Sequence, residues 1–172
     1  MVNKEDEQHP VIQICSLEAA RESDLSIYDG VITIEDTTIE NPFRIERSKC
    51  PQLILRFDDI SAPVDDWVEP SEQHVNRALK FGEKVGSGSL LIHCHWGISR
   101  SSGIALALIA KGLGKGRELE AVKTLERINP YCRPNALLVY LTDEILGRGG
   151  ALFKATSSRV NLTGSMKPSF DH

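Results

Sequence analysis

The chain has 172 residues, about the length of one ordinary domain and long enough to bury a hydrophobic core. Its composition, 41% hydrophobic and 26% charged, is typical of a soluble globular protein and excludes disordered and fibrous classes. The net charge is −4 and no stretch concentrates lysine and arginine, so we expect no nucleic-acid partner.

The sequence favours a cytoplasmic location. Residues 1–10 are polar and acidic and lack the basic and apolar regions of a secretory signal. The longest apolar stretch, Ile104–Ala110, is much shorter than the roughly 20 residues that cross a bilayer, so we expect no membrane partner. The cysteines are widely spaced in a chain of a size that folds without disulfides, which indicates a reducing compartment.

The first half of the chain predicts strands separated by short connections. Three β-branched, apolar segments read as strands: Val11–Cys15, Gly30–Glu35 and Leu53–Phe57. Ser16 caps a short predicted helix over Leu17–Glu22, whereas 36–50 shows no period and predicts a loop. A polar, proline-punctuated loop follows the third strand, and it contains four aspartates.

The second half predicts helices around one more strand. The strand is Leu90–Cys94, and the predicted helices are 70–85, Arg100–Ala110, Arg117–Ile128 with Leu119, Val122 and Leu125 facing inward, and Asn135–Leu146. Residues 151–172 are mostly polar and read as a docked or frayed C-terminal tail. We therefore predict a single α/β domain over 1–150, with a central, mostly parallel sheet of about four to five strands flanked by helices.

Between the last strand and the buried helix lies a segment whose residues suit anion chemistry. The backbone N–H groups of His95, Trp96, Gly97, Ile98 and Ser99 can curl around a dianion such as phosphate at the helix N-terminus. Arg100 can add a bidentate contact to the anion. Such a positive field favours the thiolate of Cys94, which is the nucleophilic form. Gly97 allows a tight turn, and Ser101 can donate a hydrogen bond to the thiolate.

These residues read His-Cys-x-x-Gly-x-x-Arg-Ser, and the segment resembles the active-site loop of the cysteine-based protein tyrosine phosphatases. The order of elements over residues 10–147 resembles the compact dual-specificity branch. Three further stretches, Leu-Arg-Phe-Asp-Asp-Ile, Asn-Ala-Leu-Leu-Val and Leu-Gly-Arg, are similar to a small bacterial group of predicted tyrosine phosphatases. The resemblance implies hydrolysis of a phosphomonoester, above all phosphotyrosine in protein, through a phosphocysteine intermediate.

The resemblance also implies a set of site residues. Cys94 would be the nucleophile, and the loop from His95 to Arg100 would bind the phosphoryl group and equally sulfate or vanadate. Ser101 would assist the second step, and neither a metal nor an organic cofactor is expected. The family's general acid is an aspartate on a mobile loop roughly 30 to 35 residues before the cysteine. Asp59 fits best, and Asp58, Asp65 and Asp66 remain candidates.

Other interpretations were weighed against this one. A zinc site from His93, Cys94, His95 and Cys132 lacks a recognised ligand spacing, and the glycines of 112–116 lack the ending of a nucleotide loop. The same cysteine loop could serve an arsenate reductase, a sulfurtransferase or a phosphate-binding interaction module without turnover. Cys50 and Cys132 are candidate resolving thiols if Cys94 is oxidised reversibly.

Overall fold

Four strands form one fully parallel sheet at the centre of the chain, which is described here by a computed structural model. The strands are β1 Val11–Ser16, β2 Gly30–Glu35, β3 Gln52–Arg56 and β4 Ser89–Cys94, in the order β1-β4-β2-β3. The predicted α/β class and parallel sheet are confirmed, and the predicted strand ends differ by at most a residue. The structure describes residues 8–165, so the expectations for 1–7 and for tail residues 166–172 lie outside it.

The sheet order explains the composition of the strands. β2 and β4 are central, and every residue of β2 is buried. A strand covered on both faces is mostly apolar, and the buried polar side chains within these two strands, Thr33, Glu35 and His93, have hydrogen-bond partners. The edge strands β1 and β3 are more exposed.

Six helices were assigned in the described residues: α1 Leu17–Glu22, α2 Glu72–Val85, α3 Arg100–Leu113, α4 Glu118–Ile128, α5 Ala136–Ile145 and α6 Ala151–Arg159. A short 3-10 helix, Leu25–Ile27, follows α1. The larger core packs one face of the sheet against α2 and α3, and α3 is buried along almost its whole length. The other face is covered by α1 and by the loop 36–51, through Phe43 and Cys50.

Side-chain caps set several helix starts. Ser16 accepts a hydrogen bond from the Ala19 N–H at 3.1 Å and so begins α1, as predicted. Ser71 and His74 form a reciprocal capping box at α2, and the Asn135 side chain accepts from the Leu138 N–H at 3.1 Å at α5. None of the helices in the described residues is long and apolar enough to cross a membrane.

Two helical details differ from the sequence-based expectation. Leu119 was predicted to face inward, but it is 48% exposed. The buried stripe of α4 instead begins at Glu118 and continues through Ala121, Val122 and Leu125. Glu118 is buried because it pairs with Arg148. The buried face of α4 therefore begins with a charged residue, and a search for apolar residues alone assigns the wrong residue to that face. Residues 151–159, for which no element was predicted, form α6, with Leu152 in the core.

Candidate active site

Strand β4 carries Cys94 to the carboxyl edge of the sheet, where parallel α/β sheets hold their ligands. Residues 95–99 turn there, and α3 begins at Arg100. Cys94 is 2% exposed. Its Sγ lies 3.3 Å from the Gly97 N–H nitrogen and 3.2 Å from Ser101 Oγ, so the sulfur faces the inside of the loop.

Gly97 cannot be replaced in this loop without moving the backbone. Its φ is +72°, a conformation that favours glycine. A Cβ at this position would lie 2.6 Å from the carbonyl oxygen of Cys15 and 2.8 Å from the nitrogen of Ser16, at the end of β1. The cysteine loop is therefore packed backbone to backbone against the neighbouring strand.

Arg100 is held on one side. Its Nη1 donates to the Phe57 carbonyl at 2.9 Å and pairs with Asp36 Oδ1 at 2.7 Å. The side chain is 4% exposed, and Nε is buried without a hydrogen-bond partner among residues 8–165. This arrangement fixes the guanidinium plane through Nη1 and leaves Nε as a donor for an anion.

The four candidate aspartates have different surroundings. Asp59 is half-buried, and its Oδ1 accepts hydrogen bonds from Ser99 Oγ at 2.8 Å and Asn135 Nδ2 at 2.9 Å. Since Ser99 belongs to the cysteine loop, the structure brings Asp59 against that loop. Asp65 and Asp66 lie on the exposed outer part of the aspartate-bearing loop.

Asp58 has a different set of partners. It is buried, and its carboxylate accepts from the Thr37 N–H, the Thr37 hydroxyl and the Val68 N–H. Burial raises the pKa of Asp58, but these hydrogen bonds and the charge of Arg100 outweigh it and hold the pKa below its usual range. Asp58 thus joins the beginning of the aspartate-bearing loop to Val68 near its end.

His93, directly before Cys94, is neutral and enclosed. Its Nε2 lies 2.8 Å from Thr33 Oγ1, and Gln52 Nε2 donates to that same hydroxyl at 2.8 Å. Gln52 Nε2 also donates to the Phe43 carbonyl at 3.0 Å, so Gln52, Thr33 and His93 form one connected buried polar group. Burial lowers the pKa of His93 to about 4.

Large exposed side chains lie in the cysteine loop and on the connection beside it. Trp96 is 73% exposed and Ile98 37%, both within the loop, and Tyr131 is 81% exposed in the α4–α5 connection. That connection is bonded to the loop, since Asn129 Nδ2 donates to the Gly97 carbonyl at 2.9 Å and the Arg133 N–H to the Ile98 carbonyl at 3.0 Å. The mouth of the site is accordingly rich in apolar and aromatic surface.

Sequence reasoning missed Asp36 and Asn129, and it placed Asn135 at the start of a helix without seeing its contact to Asp59. Asp36 directly follows β2, at the same sheet edge as Cys94, and that position was the available signal. Asn129 follows α4 in an Asn-Pro pair. Such a pair indicates a turn, but it does not indicate that the Asn129 side chain binds the cysteine loop.

The alternative chemistries find little support in the described residues. Within 8–165 no group of three or more His, Cys, Asp and Glu side chains is placed to hold a metal ion. All four cysteines are free thiols, and burial raises the pKa of Cys15 and of Cys132 to about 11. Both thiols are therefore protonated near neutral pH and are poor nucleophiles.

A cavity of about 710 Å³ lies at the opposite end of the strands, between the C-terminal ends of α2 and α3. Its lining includes Leu79, Leu108 and the ion-paired Glu83 and Lys111. None of the candidate catalytic residues lines this cavity. The reactive residues around Cys94, and not the volume of a cavity, therefore identify the candidate active site.

Comparison with known proteins establishes the fold. No family model and no curated protein matches the chain. Among solved structures, Tk-PTP in its active form superposes with a TM-score of 0.58 at 18% identity, over 81% of this chain and 92% of that one. A mouse protein assigned to the dual-specificity phosphatases, complexed with zinc tungstate, gives 0.60 at 17% identity, over 85% and 90%.

A human tyrosine phosphatase-like serine/threonine/tyrosine-interacting protein gives a TM-score of 0.56 at 20% identity, over 75% of this chain and 81% of that one. The chain therefore has the fold of tyrosine and dual-specificity phosphatases. Because one of these neighbours is described as phosphatase-like and interacting, the fold does not separate catalysis from binding.

Proposed function

We propose that this protein is a cysteine-dependent phosphomonoester hydrolase that acts on phosphotyrosine in proteins. One observation carries the proposal: the Cys94 sulfur faces the inside of a loop whose Ser99 binds Asp59 and whose Arg100 has an Nε without a hydrogen-bond partner among residues 8–165. A nucleophile, a phosphate ligand and a proton donor thus meet at one sheet edge. The fold shared with phosphatases, one of them complexed with the tetrahedral oxyanion tungstate, is consistent with it.

The first step forms a phosphocysteine. The Cys94 thiolate attacks phosphorus while the loop amides and Arg100 hold the non-bridging oxygens. The bond from phosphorus to the phenolic oxygen breaks, and Asp59 gives its proton to the leaving phenolate. Ser99 and Asn135 both bind Oδ1 of Asp59, which leaves Oδ2 to carry that proton.

The second step returns the enzyme to its starting state. The Asp59 carboxylate takes a proton from water, the oxygen of which attacks the phosphocysteine. The sulfur–phosphorus bond breaks, Ser101 donates a hydrogen bond to the departing thiolate, and inorganic phosphate is released. Ser101 Oγ, 3.2 Å from the sulfur, is within reach of this role.

The aromatic rim supports tyrosine as the phosphorylated residue. Exposed Trp96 and Tyr131 border the loop and can pack against a phenyl ring, whereas a phosphoserine offers no comparable apolar surface. A second candidate, a phosphate-binding interaction module, follows from the phosphatase-like human neighbour. Arsenate reduction and sulfur transfer are less supported, because arsenate reduction needs resolving thiols and Cys15 and Cys132 are protonated near neutral pH.

The test is hydrolysis of phenyl phosphate and a phosphotyrosine peptide in the presence of a metal chelator. We expect Cys94→Ser to abolish turnover and Asp59→Asn to lower kcat/KM on phenyl phosphate by about 100-fold or more. The matched control Asp65→Asn, also a loop aspartate, should stay within about twofold. Mass spectrometry of a rapidly quenched reaction should find one phosphoryl group on Cys94.

One result would overturn the proposed hydrolase activity, and another would overturn only the assignment of the acid. A folded wild-type protein that binds vanadate without turnover would favour the binding module. Equal losses in Asp59→Asn and Asp65→Asn would remove Asp59 as the acid and leave the nucleophile assignment standing.

A further inference from the structure

The last described residues run beside the α4–α5 connection, next to the candidate active site. Thr163 donates its N–H to the Pro134 carbonyl at 2.9 Å and accepts from the Ala136 N–H at 2.9 Å. Its hydroxyl donates to the Arg133 carbonyl at 2.8 Å. These bonds make an isolated parallel bridge between Thr163 and Asn135.

The bridged residue is the one that holds the aspartate-bearing loop. Asn135 is fully buried, and its Nδ2 donates to Asp59 Oδ1 at 2.9 Å and to the Ile60 carbonyl at 3.0 Å. Gly164 lies beside the same loop, so close that a Cβ added to it would lie 2.6 Å from Ser61 Cβ. Two routes from the C-terminal segment therefore converge on residues 59–61, one through Asn135 and one by direct packing.

The loop needs such external support. Between β3 and α2 it has no regular secondary structure, and residues 62–69 are all exposed. A segment with few buried contacts opens easily. The position of a carboxylate on such a segment therefore depends on the contacts that other parts of the protein make with it.

We propose that Thr163 and Gly164 are positioning residues for the acid step, holding the loop so that Asp59 reaches the leaving-group oxygen. The inference rests on the proposed function, in which Asp59 is the general acid. It assigns to the C-terminal segment a part in catalysis that no motif in the sequence indicates. Neither residue touches the substrate.

Gly164→Ala tests this with a control that the chain itself supplies. A Cβ at Gly164 would lie 2.6 Å from Ser61 Cβ, and no rotation of the Ser61 hydroxyl relieves that contact, so the two backbones must separate. Gly116 has nearly the same φ, +91° against +87°, and nothing within 4 Å of an added Cβ. Gly116→Ala therefore reproduces the backbone strain without the clash.

The readout is the dependence of kcat/KM on the leaving group. p-Nitrophenolate leaves without protonation, whereas the more basic phenolate needs the acid. We expect Gly164→Ala to lower kcat/KM about tenfold on phenyl phosphate and less than about twofold on p-nitrophenyl phosphate, since a displacement of about 1 Å misaligns proton transfer. Gly116→Ala should leave kcat/KM on both substrates unchanged. Adding Ser61→Gly to Gly164→Ala should restore turnover of phenyl phosphate.

Thermal unfolding of each variant shows that it is folded. If Gly164→Ala does not fold, Thr163→Val, which loses the bond to the Arg133 carbonyl, should give the same leaving-group pattern at about threefold. Equal behaviour of Gly164→Ala and Gly116→Ala, or equal losses on both substrates, would overturn the inference. If Asp59→Asn itself lacks the leaving-group pattern, the acid assignment fails first, and the two failures are distinguishable.

Discussion

Adjacent aspartates of the loop after β3 have opposite surroundings. Asp58 is enclosed by Thr37 and Val68, and its pKa is held down by their hydrogen bonds. Asp59 turns the other way, toward Ser99 and Asn135. Sequence spacing could not separate neighbours, because their different partners lie on segments distant in the chain. A family resemblance favoured Asp59, and the geometry is compatible with that role.

His93 makes stability depend on pH. Its pKa is about 4 in the folded protein and 6.5 as a free side chain, so the unfolded chain binds a proton that the folded one refuses. Stability is then full above the unfolded pKa and falls as pH drops toward 4. Between about pH 7.5 and about pH 4.5 we expect the titration of His93 to lower the free energy of unfolding by roughly 2–3 kcal/mol.

Urea unfolding of wild type and His93→Gln at both pH values measures this difference. The variant should lose roughly 2–3 kcal/mol less than wild type on acidification, because the other titrating groups are common to both proteins. Parallel losses in the two proteins would show that His93 protonates in the folded state as readily as in the unfolded one.

At the scale of elements, a buried ion pair joins three helices of the described chain. Arg148, just after α5, donates to Glu118 Oε1 at 3.0 Å and to the Ala110 and Gly114 carbonyls at the end of α3. Both charged side chains are at least nine-tenths buried. Arg148 thus binds two carbonyls at the end of α3 and Glu118 at the start of α4, which places the α3–α4 connection.

We predict that Arg148→Met lowers the free energy of unfolding by about 3 kcal/mol, because it leaves the Glu118 carboxylate buried without its partner. Arg159→Met, which breaks the more exposed pair with Glu126, should cost less than about 1 kcal/mol. Denaturant unfolding compares the two variants. Equal losses of unfolding free energy in the two variants would show that the Glu118 carboxylate becomes hydrated once Arg148 is removed.

At the scale of the whole molecule, the sheet order brings the site together. β4 lies between β1 and β2, with β3 beyond, so the segments that follow these strands share one edge. Cys94 ends β4, Asp36 follows β2 and Asp59 follows β3, and Gly97 packs against the end of β1. An anion bound in the cysteine loop should therefore stabilise the whole domain and not one loop.

We predict that phosphate at about 100 times its Kd raises the unfolding free energy by about 2.7 kcal/mol and Tm by roughly 5–10 °C. Arg100→Lys should abolish most of the shift, since lysine lacks the planar pair of donors. Lys111→Gln, at the opposite end of the strands, should keep it. Calorimetry in phosphate against chloride at equal ionic strength checks this, and a shift that persists in Arg100→Lys would contradict it.

The sequence by itself determined the strands, most helix ends and the cysteine loop. These depend on local patterns: apolar runs, Ser16 as a cap and a glycine at position 97. The tertiary structure alone decided the partners of Arg100 and Asp59, the burial of Glu118 and the contact of Gly164 with Ser61. These contacts join residues far apart in the chain, and no local pattern encodes which distant side chain arrives at a given place.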